Sequence, residues 1–213
     1  MSALPVYRCR RALQPPSLDE PAAGSVWETA GTISSEFHLL GSDADRSDHF
    51  LEASALWDDE ALYVRFVSDP APLPVTKRER DEDLFNECAV ELFLRAGGGY
   101  YEIEVNPLGA VLDLYFPDVK EQNWQAMAAF DVPGMAWSVQ ETGDAGRWRT
   151  QLAVPWAGVP QTTWAEHEGQ RCVYANFSRS QKLPDGSFDL TTWDGAQGAF
   201  CELEQMGCLV LVD

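Results

Sequence analysis

Glu91 and Glu104 sit in two alternating apolar runs joined by a glycine-rich link, and that placement drives two carboxylates together. In the first run Val90, Leu92 and Leu94 take one side of a period-two ribbon, and Ala89, Glu91, Phe93 and Arg95 the other. In the second, Tyr101, Ile103 and Val105 face away from Tyr100, Glu102, Glu104 and Asn106. A two-residue turn through Gly97 and Gly98, which tolerate positive φ, sets Arg95 opposite Tyr100. Counting back then pairs Leu94 with Tyr101, Leu92 with Ile103 and Val90 with Val105, while on the reverse face Phe93 meets Glu102 and Glu91 meets Glu104. Like charges directly opposite on a sheet are destabilising. The pair therefore needs a counter-ion, a shared proton or a bound group. If Arg65 or Arg95 lies close enough to neutralise it, the result is an ordinary solvated sheet face; if neither does, the face is a candidate site. Opposed carboxyls at about 5 Å also match the spacing of a retaining glycosidase, so hydrolysis by Glu91 and Glu104 is the enzymatic alternative.

The elements that must position these groups are strands. Apolar residues make up 45% of the 213-residue chain, with 8 Trp, 10 Phe and 6 Tyr, which indicates an aromatic-rich folded globule. The balance of 15 basic against 34 acidic side chains, net −19, disfavours nucleic acid and anionic membranes as partners. No run of about 20 apolar residues suggests a membrane span or signal sequence. Cys9, Cys88, Cys172, Cys201 and Cys208 are odd in number and form no CxxC pair, which points to reduced core thiols. These features lead us to expect a cytoplasmic protein, with an extracellular one as the alternative.

Residues 1–20, polar and proline-broken, read as an N-terminal arm, and 21–213 as a single domain. Leu18 to Ala23 suggests a turn and a short helical segment that delivers Trp27 to the core. Strand patterns cover Thr32–Leu40, His49–Trp57 and Leu62–Ser68. A proline-broken, charged connection from Asp69 leads to Phe85, a large aromatic at the entry to the central hairpin. The third strand of the central motif ends near Phe116; Asn123–Phe130 is an irregular or helical insert. Trp137–Thr142 and Trp148–Val154 form a further hairpin, a helical or coil stretch runs to Gly169, and Cys172–Ser180, Phe188–Trp193 and Gly207–Val212 close the pattern. The sum is an all-β protein, an antiparallel β-sandwich of about ten strands with little helix. Trp137, Trp148 and Trp193 are expected in its core.

In this order the pieces resemble the family 9 carbohydrate-binding modules and their DOMON-like relatives. They are Trp27, LYVRFVSDP from Leu62, DLFNECAVELFL from Asp83, YYEIEVNPLGAVLD from Tyr100, WRTQLAVPW from Trp148, ANFSRS from Ala175, Trp193 and MGCLVL from Met206. The resemblance implies a jelly-roll-like sandwich that binds a mono- or oligosaccharide, or a glycan end, between two aromatic rings without catalysing a reaction. Phe85 falls at one clamp position, six residues before Glu91 and replacing a tryptophan; Phe200 is the match for the second. The family's polar contacts map onto Glu91, Glu104, Asn106, Asn176 and Arg179. Some relatives carry arginine where this chain has Glu104, and the family's Phe-His-x-Pro loop here reads Phe200-Cys201-Glu202-Leu203. Chemically the set suits a pyranose, whose C–H face packs on flat rings and whose hydroxyl rim needs carboxylate, amide and guanidinium partners.

Two further readings follow from the same kinship. Some DOMON-like relatives hold haem between Met and His for electron transfer, but His38, His49 and His167 show no axial pairing with Met127, Met135 or Met206. No cofactor is required by the sugar reading. Relatives often bind structural Ca²⁺, for which Asp81, Glu82 and Asp83 offer oxygens without EF-hand spacing.

Overall fold

A computed structural model describes residues 4–19, 25–34, 36–42, 45–120 and 123–213. Thirteen strands occur among them: β1 (Val6–Arg11), β2 (His38–Leu39), β3 (Leu51–Trp57), β4 (Ala61–Ser68), β5 (Cys88–Ala96), β6 (Gly99–Val105), β7 (Val111–Phe116), β8 (Ala136–Glu141), β9 (Trp148–Pro155), β10 (Trp164–His167), β11 (Gln170–Lys182), β12 (Phe188–Thr192) and β13 (Gly207–Val212). Helix is confined to short 3-10 turns and one turn of α-helix, α1 (Trp124–Met127), whose N-terminus is capped by the Asn123 side chain. The all-β expectation holds.

Ten strands form one continuous path in the order β7-β6-β5-β11-β13-β1-β3-β4-β9-β8. The path folds over on itself. Val90, Leu92, Tyr101, Ile103 and Phe177 from one half share a single core with Leu62, Val64, Phe66, Leu152 and Val154 from the other. Trp148 and Trp193 are buried in that core, and Trp137 packs against it. Strand β11 is the hub. Both β5 and β13 pair with it at Ala175, on opposite edges; β10 then prolongs the β5 edge and β12 the β13 edge.

The sheet is mixed rather than wholly antiparallel, because β1 runs parallel to both β13 and β3. The stretch expected as an N-terminal arm thus supplies a central strand. Tyr7 and Cys9 point into the core, and the Tyr7 hydroxyl donates to the carbonyls of Gly31 and Ala55. Trp27 is buried, carried by a 3-10 turn over Val26–Thr29; of the helical segment expected at Leu18 to Ala23, residues 20–23 lie outside the described residues. The strand expected over Thr32–Leu40 is reduced to β2 and an isolated bridge from Ile33 to Ala53. There the Glu36 carboxylate accepts from the Ser34 N–H, a local bond that competes with ladder formation. The stretch before Gly169, expected as helix or coil, contains β10. Glu168 and Gly169 both take positive φ, the signature of a two-residue hairpin turn, and Arg171 stacks 3.6 Å over the Trp164 ring.

Candidate functional site

The central hairpin pairs as counting from the turn requires: Leu94 with Tyr101, Leu92 with Ile103, Val90 with Val105, Phe93 with Glu102 and Glu91 with Glu104. Gly97 has φ +62°, and a side chain on Gly99 would meet the Phe116 carbonyl at 1.8 Å, so glycine is required at both ends of the turn. One face of the hairpin belongs to the main core. The other, with Glu91, Phe93, Tyr100, Glu102 and Glu104, is covered by a second apolar layer built from Leu84, Leu114, Phe116, Trp124, Phe200, Cys201 and Met206.

This second layer encloses a groove of about 420 Å³ on the sheet, within the range of small-ligand pockets. Aromatic rings are its commonest lining: Phe85, Phe93, Tyr100, Phe116, Trp124, Phe188 and Phe200. Phe85 and Trp124 meet edge to face at 5.7 Å, Tyr100 stacks on Phe116 at 4.8 Å, and Phe93 lies 6.1 Å from Phe200. Both Phe85 and Phe200 are half-buried, each with part of its ring available to the groove. Three interactions fix the loop that carries Phe200. The Glu202 carboxylate accepts from the backbone N–H groups of Gln197, Gly198 and Ala199, Asn176 Nδ2 donates to the Phe200 carbonyl, and Asp194 accepts from the Ala196 N–H.

The carboxyls form the polar floor. Glu91 is 2% exposed and lines the groove; one of its oxygens accepts from the Ser178 hydroxyl at 3.4 Å, and the Ser180 hydroxyl and N–H lie beside the carboxyl, with Oε1 not bonded at normal geometry. Glu102 is half-buried and also lines the groove. Glu104 has no exposure and lies off the groove lining, with the Glu102 carboxyl and the Phe85 N–H beside it but neither oxygen hydrogen-bonded at normal geometry. Burial pushes Glu91 up to about 8, with the charge of Glu102 adding to it, and burial pushes Glu102 up to about 7. Burial first, then Glu91 and Glu102, hold Glu104 well above the usual carboxylate range. Charge on any one of the three therefore opposes ionisation of its neighbours.

Of the residues singled out from sequence, Phe85, Glu91 and Phe200 line the groove, and Glu104 lies behind Glu91. The other three are placed elsewhere. Asn106 closes the turn after β6, accepting from the N–H groups of Leu108 and Ala110 and donating to the Lys77 carbonyl. Asn176 is buried behind the Phe200 loop, bonded to Thr192 and Asp194. Arg179 pairs with Val90 and therefore points to the opposite face from Ser178 and Glu91. There it donates to the Phe50 carbonyl, Ser47 and Asp189. Nor do the other arginines reach the acids. Arg65 is in the other half of the sandwich beside Glu52, and Arg95 binds Glu204 and the Leu203 carbonyl. Among the described residues Glu91, Glu102 and Glu104 take part in no ion pair. Sequence reasoning did not single out Glu102, Tyr100, Trp124 or Phe188. Strand alternation already puts Glu102 and Tyr100 on the face of Glu104; Trp124 and Phe188 arrive from segments whose folding over the groove has no local signal.

The expected calcium ligands divide. Asp83 pairs with Lys77, and Glu82 accepts from the N–H groups of Arg78 and Glu79. Asp81 instead joins Asp113 and Asp131, each offering an oxygen within 4.8 Å of the others. The Arg80 guanidinium pairs with both Asp113 and Asp131, so an arginine already supplies positive charge at this cluster. The histidines are distributed over β2, the approach to β3 and the end of β10.

A provisionally assigned carbohydrate-binding protein from Bacteroides uniformis ATCC 8492 superposes with a TM-score of 0.70 at 13% identity, over 98% of this chain and 100% of that one. A family 9 carbohydrate-binding module from Caldicellulosiruptor kristjanssonii in complex with cellotriose gives 0.66 at 13% identity, covering 97% of this chain and 93% of that one. The glucose complex of a family 9 module from the same organism gives 0.65 at 12% identity, covering 96% and 95%. The fold is that of the family 9 carbohydrate-binding modules. No protein-family model and no curated protein matches the chain. No helix among the described residues is long and apolar enough to cross a membrane.

Proposed function

We propose that this protein binds a carbohydrate, a mono- or oligosaccharide or a glycan end, in the aromatic groove over β5 and β6, and does so without catalysing a reaction. The observation that carries the reading is the pairing of flat rings with buried carboxyls inside one groove of ligand size. Phe85 and Phe200 offer faces to the C–H side of a pyranose, and Glu91 and Glu102 accept from its hydroxyls. The fold supports this reading, since family 9 modules have been solved with cellotriose and with glucose. Asn106, Asn176 and Arg179 serve the site from behind, by holding its loops and strands. A wider kinship to the DOMON-like proteins rests on the ordered sequence pieces. Hydrolysis by Glu91 and Glu104 gains nothing from the geometry: Glu104 is sealed away from the groove, where neither a glycosidic oxygen nor an attacking water would reach it.

A glycan array followed by calorimetric titration of any hit tests the proposal. Phe200→Ala should weaken binding by about 1–3 kcal/mol through loss of ring contact. Saturable binding unaffected by both Phe200→Ala and Phe85→Ala would place the ligand elsewhere. Release of reducing sugar, abolished by Glu91→Gln, would make the protein an enzyme.

A further inference from the structure

The groove contains negative chemistry with no positive partner. Glu91 and Glu102 line it, Glu104 stands directly behind Glu91, and no lysine, arginine or histidine is found among the lining residues. From β6 comes the Tyr100 phenol; from β11 come the hydroxyls of Ser178 and Ser180 and the Asn176 amide, which is turned to the Phe200 carbonyl; from β7 come Leu114 and Phe116. The loop above contributes the Cys201 thiol, and the carboxylate of Glu202 is turned back onto its own backbone. Protonation keeps these acids largely neutral in the free protein, and a cation that enters the groove meets no competing positive charge. A buried acid whose oxygen has no partner is costly to leave unmade. An aromatic enclosure with carboxyls in its floor has the chemistry that selects ammonium groups, through ring faces and charge-assisted hydrogen bonds together.

Resting on the carbohydrate reading, we infer that the preferred ligand is an amine-bearing saccharide, whose protonated amino group sits at Glu91 and Glu102 while its ring packs between Phe85 and Phe200. The ammonium supplies the counter-charge, and its three N–H groups are donors for the carboxyls of Glu91 and Glu102 that line the groove. Because burial favours the protonated acids in the free protein, docking of the cation expels a proton from the cluster into solvent. The chain's net charge of −19 adds a long-range bias toward cationic ligands.

The test is calorimetric titration of the full chain at neutral pH with glucosamine and its oligomers, glucose, N-acetylglucosamine and methylammonium chloride. Glucosamine should bind roughly 10- to 100-fold more tightly than glucose or N-acetylglucosamine, the difference expected of one charge-assisted contact. In Glu102→Gln, checked for cooperative melting at or above the wild-type temperature, that preference should fall to within about threefold. Glucose binding as tightly as glucosamine in the wild-type protein would overturn the inference and leave the sugar site standing. Methylammonium binding as tightly as glucosamine would overturn the saccharide half of it. Failure of every saccharide, on this panel and on the array, would remove the carbohydrate reading itself.

Discussion

Replacing Glu91 by glutamine should flatten the dependence of stability on pH. In the folded protein this carboxyl is 2% exposed, faces Glu104 across the ladder and has one oxygen not bonded at normal geometry. Burial and the neighbouring Glu102 push it up to about 8, whereas an unfolded chain would ionise it near 4.3. A raised carboxyl keeps its proton in the folded state at pH values where the unfolded state has lost it. Its contribution to stability is therefore complete below about pH 4 and drains away as pH rises toward about 8. Each such group changes stability by at most about 1.4 kcal/mol per pH unit, so between about pH 5 and about pH 7 Glu91 costs roughly 2–3 kcal/mol. At this chain length that corresponds to roughly 5–10 °C in melting temperature. Glutamine mimics the protonated acid, so the variant should match the wild type within about 1 kcal/mol near pH 5 and exceed it near pH 7. Calorimetric melting of both proteins at pH 5, 6 and 7 supplies the comparison. Asp194, which burial raises to about 7, titrates in both proteins and cancels in the difference. Melting curves that stay parallel across the range, or a variant that loses ground as pH rises, would refute the claim that Glu91 is held as a buried acid.

Two further outcomes follow. Asn176→Ala removes bonds to Thr192, Asp194 and the Phe200 carbonyl from a fully buried position, and should cost about 2–4 kcal/mol in urea unfolding while weakening any sugar binding; an unchanged midpoint would mean that Glu202 and Asp194 hold the Phe200 loop without it. Arg80→Gln leaves Asp81, Asp113 and Asp131 without their cation and should cost roughly 2–4 kcal/mol, with millimolar Ca²⁺ raising the melting temperature of the variant more than that of the wild type; equal melting of the two proteins without calcium would contradict the pairing.

How much of this was legible in the residues depended on how local the pairing is. The β5–β6 register could be counted from Gly97 and Gly98, because both strands alternate and a two-residue turn leaves no slack. That alone brought Glu91 and Glu104 together and put Glu102 beside them. The same alternation separates Asn176 from Arg179, three residues apart on β11, so one strand could not present both to the groove; the resemblance had grouped them. The face that Arg179 takes depends on β11 pairing with β5, a contact between distant segments that no local pattern encodes. β1 was missed for a related reason. Arg8, Arg10 and Arg11 give it a solvated appearance, and only Tyr7 and Cys9 are sealed inside. Asn106 sits one residue beyond the end of β6, where the chain has already begun to turn, so extending the strand pattern to it assigned a ligand role to a turn-forming side chain.

The position of β1 also bears on how quickly the protein can form. Residues 6 to 10 pair with residues 208 to 212, across nearly the whole length of the chain, while the central hairpin closes over a two-residue turn. Contacts so distant in sequence are slow to nucleate, because the intervening loop must surrender its entropy before they yield anything. During synthesis the hairpin and its acids can assemble early, but β1 must wait with an open edge until the ribosome has delivered β13, and that interval is when a chaperone would have most to protect.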